Sequence, residues 1–330
     1  MPSPSAWRPR LVVALACLAA VLVGCDTGGS SPSGTDDRPY TSSPVTLTSD
    51  TLALPATLVT PDTNAAVPGV VFVHGSGPLN RNGQSGQGSL PPIYGRWAQE
   101  LARQGIASLR YDKRTTLTQV READPRAVTF LDFVRDAVAA GERLRSEAGV
   151  DPDRIVYVGH SQGGNAAPAA ATRLGNTAGV ATLAAPALAV DSLLVAQLSG
   201  QEQPASADCT AERARAQFDS LRSGRGVSDG VICGAGTTFW RQWIRHSQKA
   251  DSVAAALDPP LFVQQGRADQ LFPGETLKRT LSAWGRVADA GDATVRTYPG
   301  VDHYFLNDGS LTTAEAPLSD LADWIRNRAP

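Results

Sequence analysis

The chain is expected to fold as an α/β protein, a mostly parallel twisted sheet flanked by helices, with one mainly helical insertion over about residues 187–257. Three observations predict this. Runs such as Val70-Val71-Phe72-Val73 and Ile155-Val156-Tyr157-Val158 have no polar face, as strands covered on both sides require. They alternate with stretches of helical spacing, the signature of strand-helix-strand units. Between Ala187 and Leu257 the rhythm breaks, and it resumes at Leu261-Phe262-Val263.

The 330 residues are 42% hydrophobic and carry a net charge of −2. That suffices for one large α/β domain with a sizeable core. The balanced charge and the lack of a basic run point away from nucleic acid. At the N-terminus, Arg8 and Arg10 precede an apolar run from Leu11 to Val23, too short to span a bilayer comfortably but fitting a signal peptide over residues 1–24. It ends in Leu22-Val23-Gly24-Cys25, which resembles a bacterial lipobox and implies that Cys25 becomes the lipid-bearing terminus. Residues 25–44 are rich in Gly, Ser, Thr, Pro and Asp and read as a disordered tether, leaving 45–330 as the folded domain. Of the four cysteines, Cys17 would be removed and Cys25 acylated. Cys209 and Cys233 then remain alone in an oxidising compartment and are expected to form a disulfide. No His or Cys stands near them at ligand spacing, so no metal site is expected.

In chain order, Val45 to Val59 alternates around Ser49-Asp50 as an antiparallel hairpin, and Val70 to Val73 is a buried strand. Helical spacing runs from Tyr94 to Gln104, and Ala107 to Tyr111 is the next strand, ending in Arg110-Tyr111-Asp112-Lys113-Arg114. Clustered charge at a strand end is read here as salt-bridged loop support. Phe130 to Ala148 is helical, and Asp151-Pro152-Asp153 is expected to turn the chain into the strand Ile155 to Val158. Val180 to Leu183 follows as a strand. In the insertion, Ser192 to Leu198 and Ala211 to Leu221 look helical. Trp240 and Trp243 there could line a pocket or simply pack the insertion onto the body. After Leu261 to Gln265 come a helix over Thr276 to Ala288, a strand over Thr294 to Tyr298 and a closing helix over Leu318 to Arg328.

The chemistry-bearing stretch is Gly159-His160-Ser161-Gln162-Gly163, set between a strand and an alanine-rich helix, Asn165 to Thr172. This is the Gly-X-Ser-X-Gly nucleophile elbow, in which a strained turn exposes the serine and small residues avoid collision with neighbouring backbone. Serine needs a base, and the base needs an orienting acid. Of four histidines, His74 and His160 belong to the two glycine loops and His246 to the insertion, so His303 alone follows a core strand in a glycine-marked loop. Asp269 lies just past the strand Leu261 to Gln265, whereas Asp302 adjoins His303 and Asp258 precedes its strand. The order Ser161, Asp269, His303 therefore reads as a catalytic triad at three strand ends. The loop His74-Gly75-Ser76-Gly77-Pro78 after Val73 suits a backbone oxyanion site.

These motifs, His-Gly-Ser-Gly-Pro, Arg-Tyr-Asp-Lys-Arg, Gly-His-Ser-Gln-Gly-Gly, Gly-Arg-Ala-Asp and Asp-His, together resemble the dienelactone-hydrolase-like serine esterases of the α/β-hydrolase superfamily, here as a bacterial lipoprotein. The resemblance implies Ser161 as nucleophile, Asp269 and His303 as its partners, and the N–H groups of Ser76 and Gln162 as oxyanion donors. Thr115-Thr116 stands where many members carry Gly and a small-residue loop, which alters the neighbouring pocket wall. Dienelactone hydrolases proper use cysteine, so Ser161 points to an ordinary ester or thioester. The expected activity is hydrolysis of small to medium acyl esters through an acyl-enzyme. A peptidase or amidase of the same fold and a non-catalytic surface-tethered binding lipoprotein are the alternatives. No cofactor is expected, and the protein is expected to be an exported monomer anchored at the cell-envelope membrane through Cys25.

Overall fold

The computed structural model describes residues 39–86, 91–200, 206–247, 254, 257–272, 274–291 and 293–327. The segments expected as signal peptide and tether, up to residue 38 and including Cys25, lie outside the described residues. Strand β1 (Tyr40–Ser49) pairs antiparallel with β2 (Leu52–Pro61), Tyr40 opposite Pro61 and Pro44 opposite Thr57. Residues 40–44, expected in the tether, therefore belong to the sheet. The turn at Asp50, with φ 49°, is the one anticipated from Ser49-Asp50.

Eight strands form one sheet in the order β1-β2-β4-β3-β5-β6-β9-β10. Its parallel part comprises β3 (Val67–Val73), β4 (Ala107–Tyr111), β5 (Val150–His160), β6 (Gly179–Leu183), β9 (Leu261–Gly266) and β10 (Ala293–Tyr298). β5 starts earlier than the sequence suggested. Val150 already pairs with Val67, and a register shift before Gly69 absorbs Asp151-Pro152-Asp153 without ending the strand.

Side chains along each strand divide strictly between two cores, as the period-two pleat demands. Val71 and Val73 of β3 with Ile155 and Tyr157 of β5 face α3 (Phe130–Arg145) and α4 (Gln162–Leu174). Val70 and Phe72 with Val156 and Val158 share the opposite core with apolar residues of α1 (Ile93–Arg103) and the C-terminal helix, which spans Glu315–Arg326. This two-faced burial explains the uninterrupted apolar runs. Helix α3 starts on a capping box in which Thr129 and Asp132 each satisfy the other's backbone. Its Gly141 leaves room for Tyr157, whose hydroxyl donates to the Ala137 carbonyl (3.1 Å). A short helix α2 (Thr118–Arg121) precedes it.

The insertion holds α5 (Val190–Ser199), α6 (Ala211–Arg222) and α7 (Thr237–Ser247). The insertion is mainly helical, as expected, with one short exception. The glycine-rich patch makes a small antiparallel ladder of β7 (Val231–Ile232) and β8 (Ala235–Gly236). Cys233 and Gly234 form its two-residue turn with φ of 45° and 80°, the backbone a tight hairpin requires. Cys233 is bonded to Cys209, with Cα atoms 4.7 Å apart, which ties the hairpin to the start of α6. Aromatic packing seats the insertion on the body, Trp243 stacking on Phe130 of α3 at 6.1 Å. Helix α8 (Glu275–Asp289) and the C-terminal helix α9 complete the fold.

Closing a loop with a sequence separation of 24 stabilises the fold by about 3 kcal/mol in the chain-entropy model. Replacing both Cys209 and Cys233 by Ala should lower unfolding free energy by about that amount in a denaturant titration. Thiol titration of a denatured, unreduced chain starting at residue 26 should find no free thiol.

Candidate active site

Ser76, Ser161, Asp269 and His303 all lie in loops leaving the C-terminal ends of the parallel strands, and Gln162 opens α4. β3 and β5 are hydrogen-bonded neighbours, with Val73 opposite Gly159, so the loops that follow them must meet. Ser161 sits at the turn between β5 and α4 with φ 52° and ψ −118°, a strained conformation costing roughly 1–3 kcal/mol. A Cβ on Gly159 would strike the Gly163 carbonyl, and one on Gly163 would strike the Val73 carbonyl. The glycines of the motif are thus sites of backbone contact. Gly75 lies so close to the elbow that an added Cβ would stand 3.3 Å from the Ser161 Cβ.

His303 and Asp269 form a buried pair, with His303 Nδ1–H donating to Asp269 Oδ2 at 2.8 Å. The Asp269 carboxylate is fully engaged: Gln265 Nε2 donates to Oδ2 (2.8 Å), and the Leu271 and Phe272 amides donate to Oδ1 (3.0 and 3.2 Å). Burial opposes its ionisation, but His303 and these donors outweigh burial and hold its pKa below the ordinary carboxylate range. Asp302 faces elsewhere, accepting from the Tyr304 and Leu306 amides (2.9 and 2.8 Å). Asp258 is exposed ahead of β9. Because Nδ1 is committed to Asp269, Nε2 of His303 is the nitrogen left to act as base.

The elbow and the His303 loop are joined through His160. Its Nε2–H donates to the His303 carbonyl (2.9 Å), so its Nδ1 is an acceptor and receives the Tyr94 hydroxyl (2.7 Å). The Tyr94 oxygen in turn accepts the Gly75 amide (3.4 Å). Burial, then His303, pushes the His160 pKa down to about 3, and burial, then Lys113, does the same to His74, so both rings stay neutral. His246 packs on Phe130 in the insertion. Among the described residues the Ser161 hydroxyl makes no hydrogen bond to the His303 ring. Such bonds are commonly loose before substrate arrives.

The charged cluster divides. Arg114 makes a bidentate pair with Asp136 (2.6 and 2.8 Å), and Asp112 is gripped by Arg81 (2.9 and 3.2 Å), which is the loop support anticipated. Lys113 departs from that reading. Its buried ammonium donates to the Gly75 carbonyl and to Gln162 Oε1, both at 2.6 Å, and lies 4.2 Å from the Phe133 ring centroid. Sequence reasoning also missed Tyr94 and Gln265. Neither has a motif, and only the fold brings them to the site.

Ser161 opens onto a cavity of about 880 Å³ shared with Ser76 and Gln162. Its wall is mostly apolar, with Phe133, Leu193, Phe239, Trp240, Trp243 and Phe272 among the lining side chains. Both readings of the tryptophans hold together. Both line the cavity; Trp243 also ties the insertion to the body, its Nε1 donating to Asn165 Oδ1 (3.0 Å), while Trp240 Nε1 donates to the Ile232 carbonyl (2.8 Å) within the insertion. Thr115, noted as a departure, lines the wall and donates to the Gly77 carbonyl (3.4 Å). No cluster of three or more metal-ligating side chains occurs among the described residues.

The sheet order, the elbow serine and a site at the strand ends define an α/β hydrolase. The chain belongs to the family Hydrolase_4, described as serine aminopeptidase, S33, whose model matches residues 85–310. It is 33% identical to Esterase EstD of Thermotoga maritima over 146 residues, which is 44% of this chain and 33% of that protein, so the match spans about a third of that relative's length. Among solved structures it resembles the hyperthermophilic esterase of Pyrobaculum calidifontis, with a TM-score of 0.59 at 19% identity, covering 89% of this chain and 88% of that one. It also resembles a dienelactone hydrolase of Anabaena variabilis, with a TM-score of 0.51 at 17% identity, covering 87% and 98%. These structures share its fold.

Tyr94→Phe should cost stability, because it leaves the buried His160 Nδ1 and the Gly75 amide without their partner. An unmet buried polar group costs about 1–3 kcal/mol, and a denaturant midpoint shift with unchanged slope would measure it.

Proposed function

We propose that the protein is a serine hydrolase that cleaves carboxylic esters or thioesters of small to medium acyl groups, with Ser161, His303 and Asp269 as its triad. One observation carries the reading. A buried His303–Asp269 pair is locked to the elbow through His160, while the elbow serine faces a large, mainly apolar cavity. Ser161 Oγ attacks the acyl carbon as its proton passes to His303 Nε2. The oxyanion forms toward the Ser76 and Gln162 amides, the latter at the N-terminus of α4. Collapse expels the alcohol or thiol, which takes the proton from His303. Water activated by the same nitrogen then releases the acid.

The family description raises an aminopeptidase as the second reading. A free substrate amino terminus is cationic, and its recognition calls for carboxylates near the nucleophile. Glu122 is the one acidic residue among the described residues lining the cavity, and Lys113 presents positive charge beside Ser161. That favours a neutral or anionic acyl group. The names of the esterase relatives agree with it. The reading extends to location: cleavage ahead of Cys25 and its lipidation would hold the enzyme on the cell-envelope membrane, as a monomer.

A fluorophosphonate probe should label the wild type and leave Ser161→Ala unlabelled, and a wild type unlabelled at pH 8 would refute catalysis in favour of a binding lipoprotein. Asp269→Asn should lower kcat by roughly 10³–10⁴-fold, since it upsets the tautomer of the base. In a series of nitrophenyl esters, turnover should continue into medium chain lengths, and aminoacyl nitroanilides should be poor substrates. Cys25→Ser should move the protein from the membrane to the soluble fraction.

A further inference from the structure

The Gly75–Ser76 peptide is held from several directions. Its carbonyl, on Gly75, accepts the Lys113 ammonium at 2.6 Å, and the Gly75 amide just before it is held by Tyr94. In a trans peptide the C=O and the following N–H point in opposite directions. Fixing the Gly75 carbonyl toward Lys113 therefore aims the Ser76 N–H away from Lys113. Gly75 packs against Ser161, so the peptide whose orientation Lys113 fixes is the one that borders the elbow. A cation bound to the carbonyl also polarises the peptide and strengthens its N–H as a donor. The same ammonium holds the side chain of Gln162, the residue whose amide opens α4.

We infer that Lys113 is a positioning residue for both oxyanion donors, orienting the Ser76 and Gln162 amides through one buried ammonium and adding its positive charge behind them. This rests on the proposed hydrolase reading. The hydrogen bonds of Lys113 go to Gly75 and Gln162, and it acts through these two residues. The Phe133 ring faces the ammonium, and the buried His74 and Asp136 stand near it, but no carboxylate is hydrogen-bonded to it among the described residues, so its charge is not cancelled at contact distance. Burial pushes its pKa down to about 7, with Asp136 pulling weakly the other way. The sign follows from this. The ammonium is charged below about pH 7 and neutral above it, so its contribution is present on the acid side and fades as pH rises through that value.

Three enzymes test the inference with a nitrophenyl ester and a trifluoromethyl ketone, which forms the tetrahedral adduct. Lys113→Met should lower kcat about 100-fold, the scale of losing one oxyanion donor, with KM changed less than threefold and ketone affinity weakened in parallel with kcat. Lys113→Arg keeps a cation that does not titrate. Wild-type kcat/KM should decline as pH rises through about 7, and Lys113→Arg should retain kcat within about tenfold of wild type and lack that decline. If Lys113→Met proves unstable in a thermal melt, the Lys113→Arg pH profile carries the test alone. The inference is overturned if folded Lys113→Met keeps kcat within threefold, if its loss is entirely in KM, or if Lys113→Arg keeps the wild-type alkaline limb. Fluorophosphonate labelling of the wild type separates the two levels. An unlabelled wild type removes the hydrolase reading itself, whereas a labelled, active wild type with an unaffected Lys113→Met removes only the role of Lys113.

Discussion

The site depends on one steric constraint, the close approach of the elbow to the strand beside it. Gly163 rests on the carbonyl of Val73 and Gly159 on that of Gly163, with no space for a methyl group at either position. This contact sets how far the start of α4 stands from the end of β3, and so how far Ser161 stands from Ser76. The same device recurs on the other side of the site. A Cβ on Gly266 would strike the Val301 carbonyl, and the Ala268 amide donates to that carbonyl at 2.9 Å, which draws the loop after β9 against the loop after β10. Asp269 and His303 meet because their loops are stitched together before either side chain is considered.

On this steric frame sits a polar one. Tyr94, His160 and the His303 carbonyl link the oxyanion loop, the elbow and the base in one chain of hydrogen bonds, while Lys113 links the first two from the other side. Burying an ammonium is costly unless it is well bonded. Two short bonds to oxygen and an aromatic face offset part of that cost, and the depressed pKa shows that part remains. A cation kept under that tension beside a developing negative charge fits preorganised electrostatics better than it fits simple stapling of loops, which the neighbouring Arg114–Asp136 pair already provides.

Much of this was legible from the chain. Strands and helices with a clear period lie within a few residues of where the pattern put them, because burial on both faces of a parallel sheet leaves little latitude. The order of Ser161, Asp269 and His303 along the chain was readable for the same reason, since each follows a recognisable strand. What escaped was whatever depended on a partner distant in sequence. Lys113 looked like one more charge in Arg110 to Arg114, and nothing local distinguishes the cation that bonds the glycine loop and the elbow from the one that pairs with Asp136. The start of β1 at Tyr40 was hidden because polar edge-strand residues such as Thr41-Ser42-Ser43 have the composition of a linker, and only their partners in β2 make them a strand. The hairpin at Cys233-Gly234 was missed because two-residue strands carry no periodicity.

The insertion shows how specificity can be added without disturbing this frame. Its aromatic residues form the cavity wall, and they reach the body mainly through α3 and α4, by Phe130, Phe133 and Asn165. The disulfide at Cys233 fixes the hairpin that supports Trp240 through the Ile232 carbonyl. The supports meet at two points, Gln197 Nε2 donating to the Leu271 carbonyl (2.7 Å) and Phe133 packing on both Phe239 and Lys113. A change in Trp240 or Leu193 alters the shape of the cavity, while the spacing of Ser161 from the proposed base and oxyanion donors is set by the glycine contacts. Such a division lets the reaction remain constant while the acyl group varies.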